Sequence, residues 1–163
     1  SEKEIKNLIE KIRNAGDVAI RSTFIVGFPG ETDEQYQKLY DFIGEYKLNY
    51  AGFFAYSKED GTAAAKLKNQ IPQAVKNKRL KNITALQSKV IFENNKNYVG
   101  KTLKVLYEGI DYDNNIFYGR PEFCAPEVDA KVLFSSDNLV NVGNFYDVKI
   151  TGANGYDLVG EVK

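Results

Sequence analysis

The residues best suited to ligand chemistry form a short turn, Gly27-Phe28-Pro29-Gly30, directly after an apolar run. In α/β proteins, ligands bind where a strand ends and a helix begins. Glycines at that point let a ligand approach the backbone, and the next helix presents its positive N-terminal end. Phe28 can flank a flat ring. The pattern indicates either a ligand-binding turn or a tight strand-to-helix connection without a ligand.

Arg21 opens the same segment and Thr23 follows two residues later, so both side chains fall on one face of the predicted strand. A guanidinium group on that face either meets a carboxylate of a ligand or forms an ion pair with a neighbouring strand. The sequence leaves both interpretations open.

Metal and acid–base chemistry have few candidates, because the chain has no histidine and a single cysteine, Cys124. Histidine is the commonest acid–base group at neutral pH and the commonest metal ligand. One cysteine cannot form an internal disulfide or hold an iron–sulfur cluster alone. We therefore predict no metal ligand in this chain and interpret Cys124 as a small, partly buried residue.

Charge is uneven along a chain whose formal net charge is zero. The net charge is −3 over residues 1–60, +7 over residues 61–92 and −4 over residues 98–163. The basic stretch contains no acidic residue. It is either a solvated helix face or a contact for nucleic-acid phosphates or for an acidic neighbouring domain.

The first half of the chain alternates between helical and strand patterns. Apolar spacing predicts a helix over residues 2–15, and a β-branched and aromatic run predicts a strand over residues 18–28 that is buried on both faces. Thr32, three residues before Gln35, predicts a capping box at the start of a second helix. A second strand follows at residues 50–56. This order is typical of an α/β layer with a parallel sheet.

The second half begins with a long helix, from Pro72 to about Asn97. Five short β-rich segments separated by turn residues then predict a small barrel of the oligonucleotide-binding type. These segments are Thr102–Tyr107, Asn115–Gly119, Ala130–Phe134, Tyr146–Thr151 and Asp157–Val162. The domain boundary is therefore expected near residues 95–100.

Localisation is indicated by composition. No apolar run approaches the roughly 20 residues that a membrane helix needs, and the first residues lack the apolar core of a signal peptide. With the single cysteine, this predicts a cytoplasmic protein without a membrane partner.

Taken together, four segments resemble motifs of the radical S-adenosylmethionine (SAM) methylthiotransferase family, in the correct order and over nearly the whole chain. They are Arg21–Thr32, Tyr56–Ala64, Ile71–Leu80 with Leu86-Gln87, and Val99–Leu103. The resemblance implies an α/β fold in which residues 1–97 are the C-terminal part of a partial (β/α) barrel with a linking helix. Residues 98–163 would then be a TRAM domain, a small five-stranded antiparallel β-barrel.

Two further segments resemble one branch of that family. Ala125–Asp129 and Ile150–Gly160 are similar to the branch that methylthiolates an aspartate of protein twelve of the small ribosomal subunit. The net charge of the barrel region suits a basic protein partner better than RNA. The alternatives are the tRNA-modifying branch and a stand-alone, non-catalytic TRAM binding module.

The resemblance also implies cofactors. Members of the family use SAM and two [4Fe-4S] clusters: one cluster cleaves SAM to a radical, and the other delivers the methylthio group. The cysteines of both clusters would precede Ser1, in the N-terminal remainder of the enzyme. This chain would therefore contain no catalytic residue and would be inactive alone.

Candidate site residues follow from the same resemblance. Five would face SAM inside the barrel: Arg21, Thr23, Ile25, Gly27 and Phe28. Four TRAM residues are candidates for docking the substrate: Glu127, Asp129, Tyr156 and Asp157. A purely structural role for the TRAM residues is equally compatible with the sequence.

Overall fold

A computed structural model describes residues 1–162 as two halves joined by a long helix. The first half contains α1 (Glu2–Ala15), β1 (Arg21–Val26), α2 (Asp33–Tyr46) and β2 (Tyr50–Ala55), followed by one 3₁₀ turn at Ala64–Lys66. The joining helix, α3, spans Gln73–Lys96. The second half consists of β3 (Thr102–Asp111), β4 (Ile116–Pro121), β5 (Val132–Ser136), β6 (Phe145–Asn154) and β7 (Asp157–Val162).

Local signals place the helix ends where the sequence predicts them. Thr32 accepts a hydrogen bond from the Gln35 backbone, and the Gln35 side chain accepts one from the Thr32 backbone, so the capping box of α2 is confirmed. Pro72 immediately precedes α3. Such caps satisfy backbone groups that a helix end would otherwise leave without partners.

β1 and β2 pair in parallel, with Arg21 opposite Tyr50 and Val26 opposite Ala55. The expectation that β1 is buried on both faces is wrong. Its burial alternates, and Ile25 is 54% exposed while Val26 is completely buried. The helices pack on one face only, around a cluster that includes Val26, Ile43 and Ile83. The other face of this two-stranded sheet is uncovered at Ile25 and Phe54, and the loop before β5 contacts it at the end formed by Arg21 and Tyr50.

The second half is a closed five-stranded barrel with the strand order β3-β4-β5-β7-β6. Four of its five pairs are antiparallel as expected, but β5 and β7 pair in parallel. A closed ring with an odd number of strands cannot alternate direction throughout, so one parallel pair is unavoidable. The core is aromatic and aliphatic, and Tyr107 packs edge-on against Phe117 and Phe134.

Contacts along α3 and around β2 hold the two halves together. Asn95 of α3 donates a hydrogen bond to the backbone oxygen of Tyr156 at 2.9 Å. Tyr98, just after α3, stacks on Phe123 with ring centroids 4.9 Å apart.

No helix of the part of the chain that the structure describes is long and apolar enough to cross a membrane.

Two glycines allow the barrel to close tightly. A Cβ atom at Gly119 would overlap the backbone oxygen of Leu106, and one at Gly160 would lie 2.6 Å from that of Lys149. The obstructing atoms belong to neighbouring strands, so no flexible side chain can move aside.

We expect Gly119→Ala to lower the free energy of unfolding by about 2–3 kcal/mol, because an extra methyl group strains a packed barrel. Chemical denaturation of the purified chain measures this change. Gly152→Ala is the matched control, since a Cβ atom there meets nothing within 4 Å. Equal effects of the two substitutions would contradict the steric explanation.

Candidate functional site

The uncovered face of the sheet carries three of the five residues that the sequence predicts to face a cofactor, whereas Gly27 is buried in the turn after β1. Arg21, Thr23 and Ile25 alternate along β1 and point to this face. Ile25 pairs in register with Phe54 of β2, which is 62% exposed. The face therefore presents a polar hydroxyl group beside two apolar side chains, a surface that suits a flat ring with a polar edge.

The predicted turn lies at the carboxyl end of β1. Gly27 and Gly30 have positive φ angles of 72° and 87°, which glycine adopts without strain. The backbone amide of Gly27 donates a 2.7 Å hydrogen bond to the Glu31 carboxylate. The Phe28 ring is 43% exposed and packs edge-on against Tyr56. Within the turn, the Phe28 ring is therefore partly exposed, whereas the Gly27 backbone is fixed by its hydrogen bond to Glu31.

A lysine of α3 supports this turn from inside the molecule. The Lys76 side chain occupies the space beside Gly27, where an added Cβ atom would lie 2.5 Å from Lys76 Cγ. The Lys76 Nζ atom donates a 3.0 Å hydrogen bond to the backbone oxygen of Tyr56. Gly27 is therefore needed both for its φ angle and for the close approach of α3.

An arginine one turn further along α3, Arg79, holds the turn after β1 through ion pairs. Arg79 is 7% exposed and forms ion pairs with Glu31 at 2.5 Å and with Asp33 at 2.7 Å. Burial lowers the pKa of Arg79, but the hydrogen bonds and negative charges of Asp33 and Glu31 together raise it, so the net shift is upward. Glu31 thereby links the guanidinium group to the Gly27 amide. The sequence alone predicted no site role for Lys76 or Arg79: both lie in the basic stretch and in the Ile71–Leu80 segment of the linking helix.

Arg79→Met should lower the free energy of unfolding by about 3 kcal/mol, because Glu31 would remain largely buried without a countercharge. The Gly27 amide should also exchange its hydrogen faster, since its acceptor would lose its anchor. Chemical denaturation and hydrogen exchange read out the two effects.

The control for Arg79→Met is Lys47→Gln, which removes an exposed ion pair with Glu93. Exposed pairs contribute less than about 1 kcal/mol. If Arg79→Met left the Gly27 exchange rate unchanged, the proposed link through Glu31 would be refuted.

Arg21 lies at the other end of β1, about 20 Å of extended chain from Gly27. Its guanidinium group forms an ion pair with Asp129 of the barrel and lies 4.7 Å from the centre of the Tyr50 ring. Asp129 also accepts a 2.6 Å hydrogen bond from the Ala125 amide, and its side chain is only 3% exposed. The structure thus joins a candidate cofactor residue to a candidate docking residue; both roles stay predictions.

The remaining docking candidates differ in how far they are already engaged. The Asp157 carboxylate accepts a hydrogen bond from the Lys131 amide at 2.8 Å. The Tyr156 hydroxyl group contacts the hydroxyl group of Ser88 on α3. Glu127 is exposed and has a positive φ angle of 62°. Among the four, the Glu127 carboxylate is the one most accessible to a partner.

Cys124 lies in the contact between the halves, with its Sγ atom 3.1 Å from the Tyr50 hydroxyl oxygen. Burial raises the pKa of Cys124 to about 11, and burial also raises the pKa of Tyr50. The thiol is therefore protonated at neutral pH. Within residues 1–162, no three histidine, cysteine, aspartate or glutamate side chains are grouped so that they could hold a metal ion.

Cys124 should react slowly with iodoacetamide in the native chain, at least about 100-fold slower at pH 8 than in denaturant. With a pKa of about 11, only about one thiol in a thousand is ionised at pH 8. Because this pKa is raised in the folded state, the stabilisation it contributes is complete below about pH 8.5 and is lost as pH rises through about 11. Mass spectrometry of the alkylated protein follows the reaction.

Asp129→Asn should accelerate this alkylation, because it removes the carboxylate that Arg21 binds and loosens the contact that covers Cys124. Asp137→Asn, an exposed change elsewhere in the barrel, serves as the control. Identical rates in the two variants would show that the ion pair does not hold the halves together.

Comparison with known proteins agrees with this architecture. Residues 99–162, which include the whole barrel, match the family model for the TRAM domain. The ribosomal protein uS12 methylthiotransferase RimO of Alkaliphilus oremlandii is 46% identical over 160 residues, covering 97% of this chain and 36% of that protein. RimO proteins of Chlamydia abortus and Elusimicrobium minutum are 42% and 41% identical, each covering 99% of this chain and 36% of the relative.

The fold and these matches define a class: the chain contains a TRAM domain and is similar over 97% of its length to methylthiotransferases. Within that class, the three relatives described above all carry the name ribosomal protein uS12 methylthiotransferase RimO. The chain spans about a third of their length, 36% in each case.

Proposed function

We propose that this chain is the C-terminal part of a radical SAM methylthiotransferase that modifies an aspartate of ribosomal protein uS12 in the cytoplasm. The observation that carries the proposal is its 38–46% identity to uS12 methylthiotransferases over 97% of its length. Two [4Fe-4S] clusters and the cysteines that hold them belong to the remainder of the enzyme. The chain alone is therefore inactive.

The uncovered sheet face fits the proposed cofactor. Thr23, Ile25 and Phe28 are exposed on or beside it, and an adenosyl group needs apolar contacts to its ring and polar contacts to its ribose. When bound, SAM supplies the radical that removes a hydrogen from the substrate. The chain's residues would hold the ring and exclude water from one side. The Gly27 amide is already engaged by Glu31 and Lys76 fills the space beside Gly27, so Gly27 contributes by shaping the turn that positions Phe28.

Arg21 would act differently from the other four cofactor candidates. Its guanidinium group is engaged by Asp129, so in this arrangement it holds the TRAM domain against the sheet. A structural role of this kind supports the cofactor site by setting the position of the barrel. It leaves Thr23, Ile25 and Phe28 as the proposed cofactor contacts, with Gly27 shaping the turn beside them.

The TRAM domain would dock the substrate through acidic side chains. Residues 98–163 have a net charge of −4, and an acidic surface attracts a basic ribosomal protein and speeds its association. Glu127, exposed on the loop before β5, is the most accessible of the proposed contacts. Docking by tRNA is the competing outcome, which the acidic charge of this region disfavours.

The test uses the complete enzyme with SAM, a reductant and purified uS12. Mass spectrometry should show that a methylthio group replaces one hydrogen on an aspartate of uS12. Modification of tRNA instead of uS12 would refute the assignment of the substrate.

Docking is tested separately with the present chain, which should bind uS12 without catalysis. Glu127→Lys should weaken that binding about tenfold, because it replaces an attractive charge by a repulsive one at the contact. Asp113→Lys makes the same charge change at a distant, exposed turn and should have a smaller effect. Isothermal titration calorimetry measures both, and equal losses would argue against a docking site around Glu127.

A further inference from the structure

The outward side of α3 is a basic stripe that the proposed function does not use. Its charged members are Lys78, Lys81, Lys89 and Lys96, all exposed. At about 100° per residue, these four positions fall within an arc of about 80°, roughly opposite the buried Ile83 and Val90. They extend over about 27 Å along the helix axis.

The inward and outward cations of α3 are in different situations. Lys76 and Arg79 point inward, where Lys76 donates a hydrogen bond to a backbone oxygen and Arg79 forms ion pairs with two carboxylates. None of the four stripe lysines forms a salt bridge with a residue that the structure describes, and residues 61–92 contain no acidic side chain. Glu93, on the flank, pairs with Lys47 of the first half. Glu93 also attracts Lys96 at short range, and the other three lysines of the stripe present positive charge without a carboxylate in an ion pair.

An aromatic ring interrupts the stripe. Phe92 is 42% exposed on the same side of α3, and the Lys96 Nζ atom lies 4.5 Å from its ring centre. A basic surface with an exposed aromatic ring is the arrangement by which proteins hold single-stranded nucleic acid: cations contact phosphates and the ring stacks on a base. Protein interfaces, in contrast, have an apolar centre and few lysines, and Phe92 is the only large apolar side chain among these positions.

We propose that the stripe Lys78–Lys81–Lys89–Phe92–Lys96 binds the phosphate backbone of single-stranded nucleic acid. The four ammonium groups contact phosphates without reading sequence, and Phe92 provides a stacking surface for one base. This surface is separate from Glu127 and from the uncovered sheet face. The proposal therefore stands or falls independently of uS12 docking and of the cofactor site.

Salt dependence gives the expected size of the effect. Four phosphate contacts on a single strand predict a slope of about −2.8 for the logarithm of the binding constant against the logarithm of salt concentration. Affinity should then fall about 50-fold between 50 and 200 mM potassium chloride. A surface that merely attracts anions at long range would show a shallower slope.

The experiment uses the complete 163-residue chain and a fluorescein-labelled single-stranded RNA, oligouridylate of about 20 nucleotides, with fluorescence anisotropy as the readout. The test variant replaces Lys78, Lys81, Lys89 and Lys96 by glutamine, which should abolish most of the salt dependence and weaken binding at least about 50-fold at 50 mM salt. Its matched control makes the same change at four exposed lysines outside α3: Lys3, Lys11, Lys58 and Lys104. The control should keep most of the affinity.

A second variant, Phe92→Ala, keeps every charge and should weaken binding about fivefold or more with an unchanged salt slope, because it removes only the stacking surface. Circular dichroism verifies that each variant keeps its helix content. The proposal is overturned if the native chain does not bind the RNA. It is also overturned if the control loses as much affinity as the test variant, or if polyglutamate of equal charge displaces the RNA as well as unlabelled oligouridylate does.

Discussion

The buried charge of Arg79 is the constraint on which the first half of the molecule depends. A guanidinium group that is only 7% exposed must be met by carboxylates, and these come from Glu31 in the turn after β1 and Asp33 at the start of α2. Glu31 can reach it only if the chain turns sharply after Val26, and the same carboxylate then holds the Gly27 amide. The shape of the candidate ligand turn is therefore set by a helix that lies far away in the sequence.

The second half is attached to the same helix, near its other end. Asn95 and Ser88 contact the hairpin between β6 and β7, while Lys76 and Arg79 contact the turn after β1. Around β2, the Arg21–Asp129 ion pair and the Tyr50–Cys124 contact add a second connection. Because two separate sets of contacts join the halves, the barrel has a defined position relative to the uncovered sheet face.

Features with local causes could be predicted from the sequence, and features with distant causes could not. The capping box of Thr32 and Gln35 lies within four residues, and the barrel strands follow from alternating patterns and turn residues. The partners of Arg79 are 46 and 48 residues away, and Asp129 is 108 residues from Arg21. Ile25 was predicted to be buried because it is apolar. Its burial depends on which elements pack on that face of the sheet, and the sequence pattern of the strand does not show this.

The length of α3 has a consequence of its own. Because α3 contacts both halves, its geometry sets the angle between them. Each residue of an α-helix rotates the side-chain direction by about 100° and advances it by about 1.5 Å along the axis. The 24 residues of α3 therefore fix a phase angle between sheet and barrel. A change of a single residue in the length of α3 would rotate the barrel by about 100° around the helix axis, whereas a substitution on its surface would leave that angle unchanged.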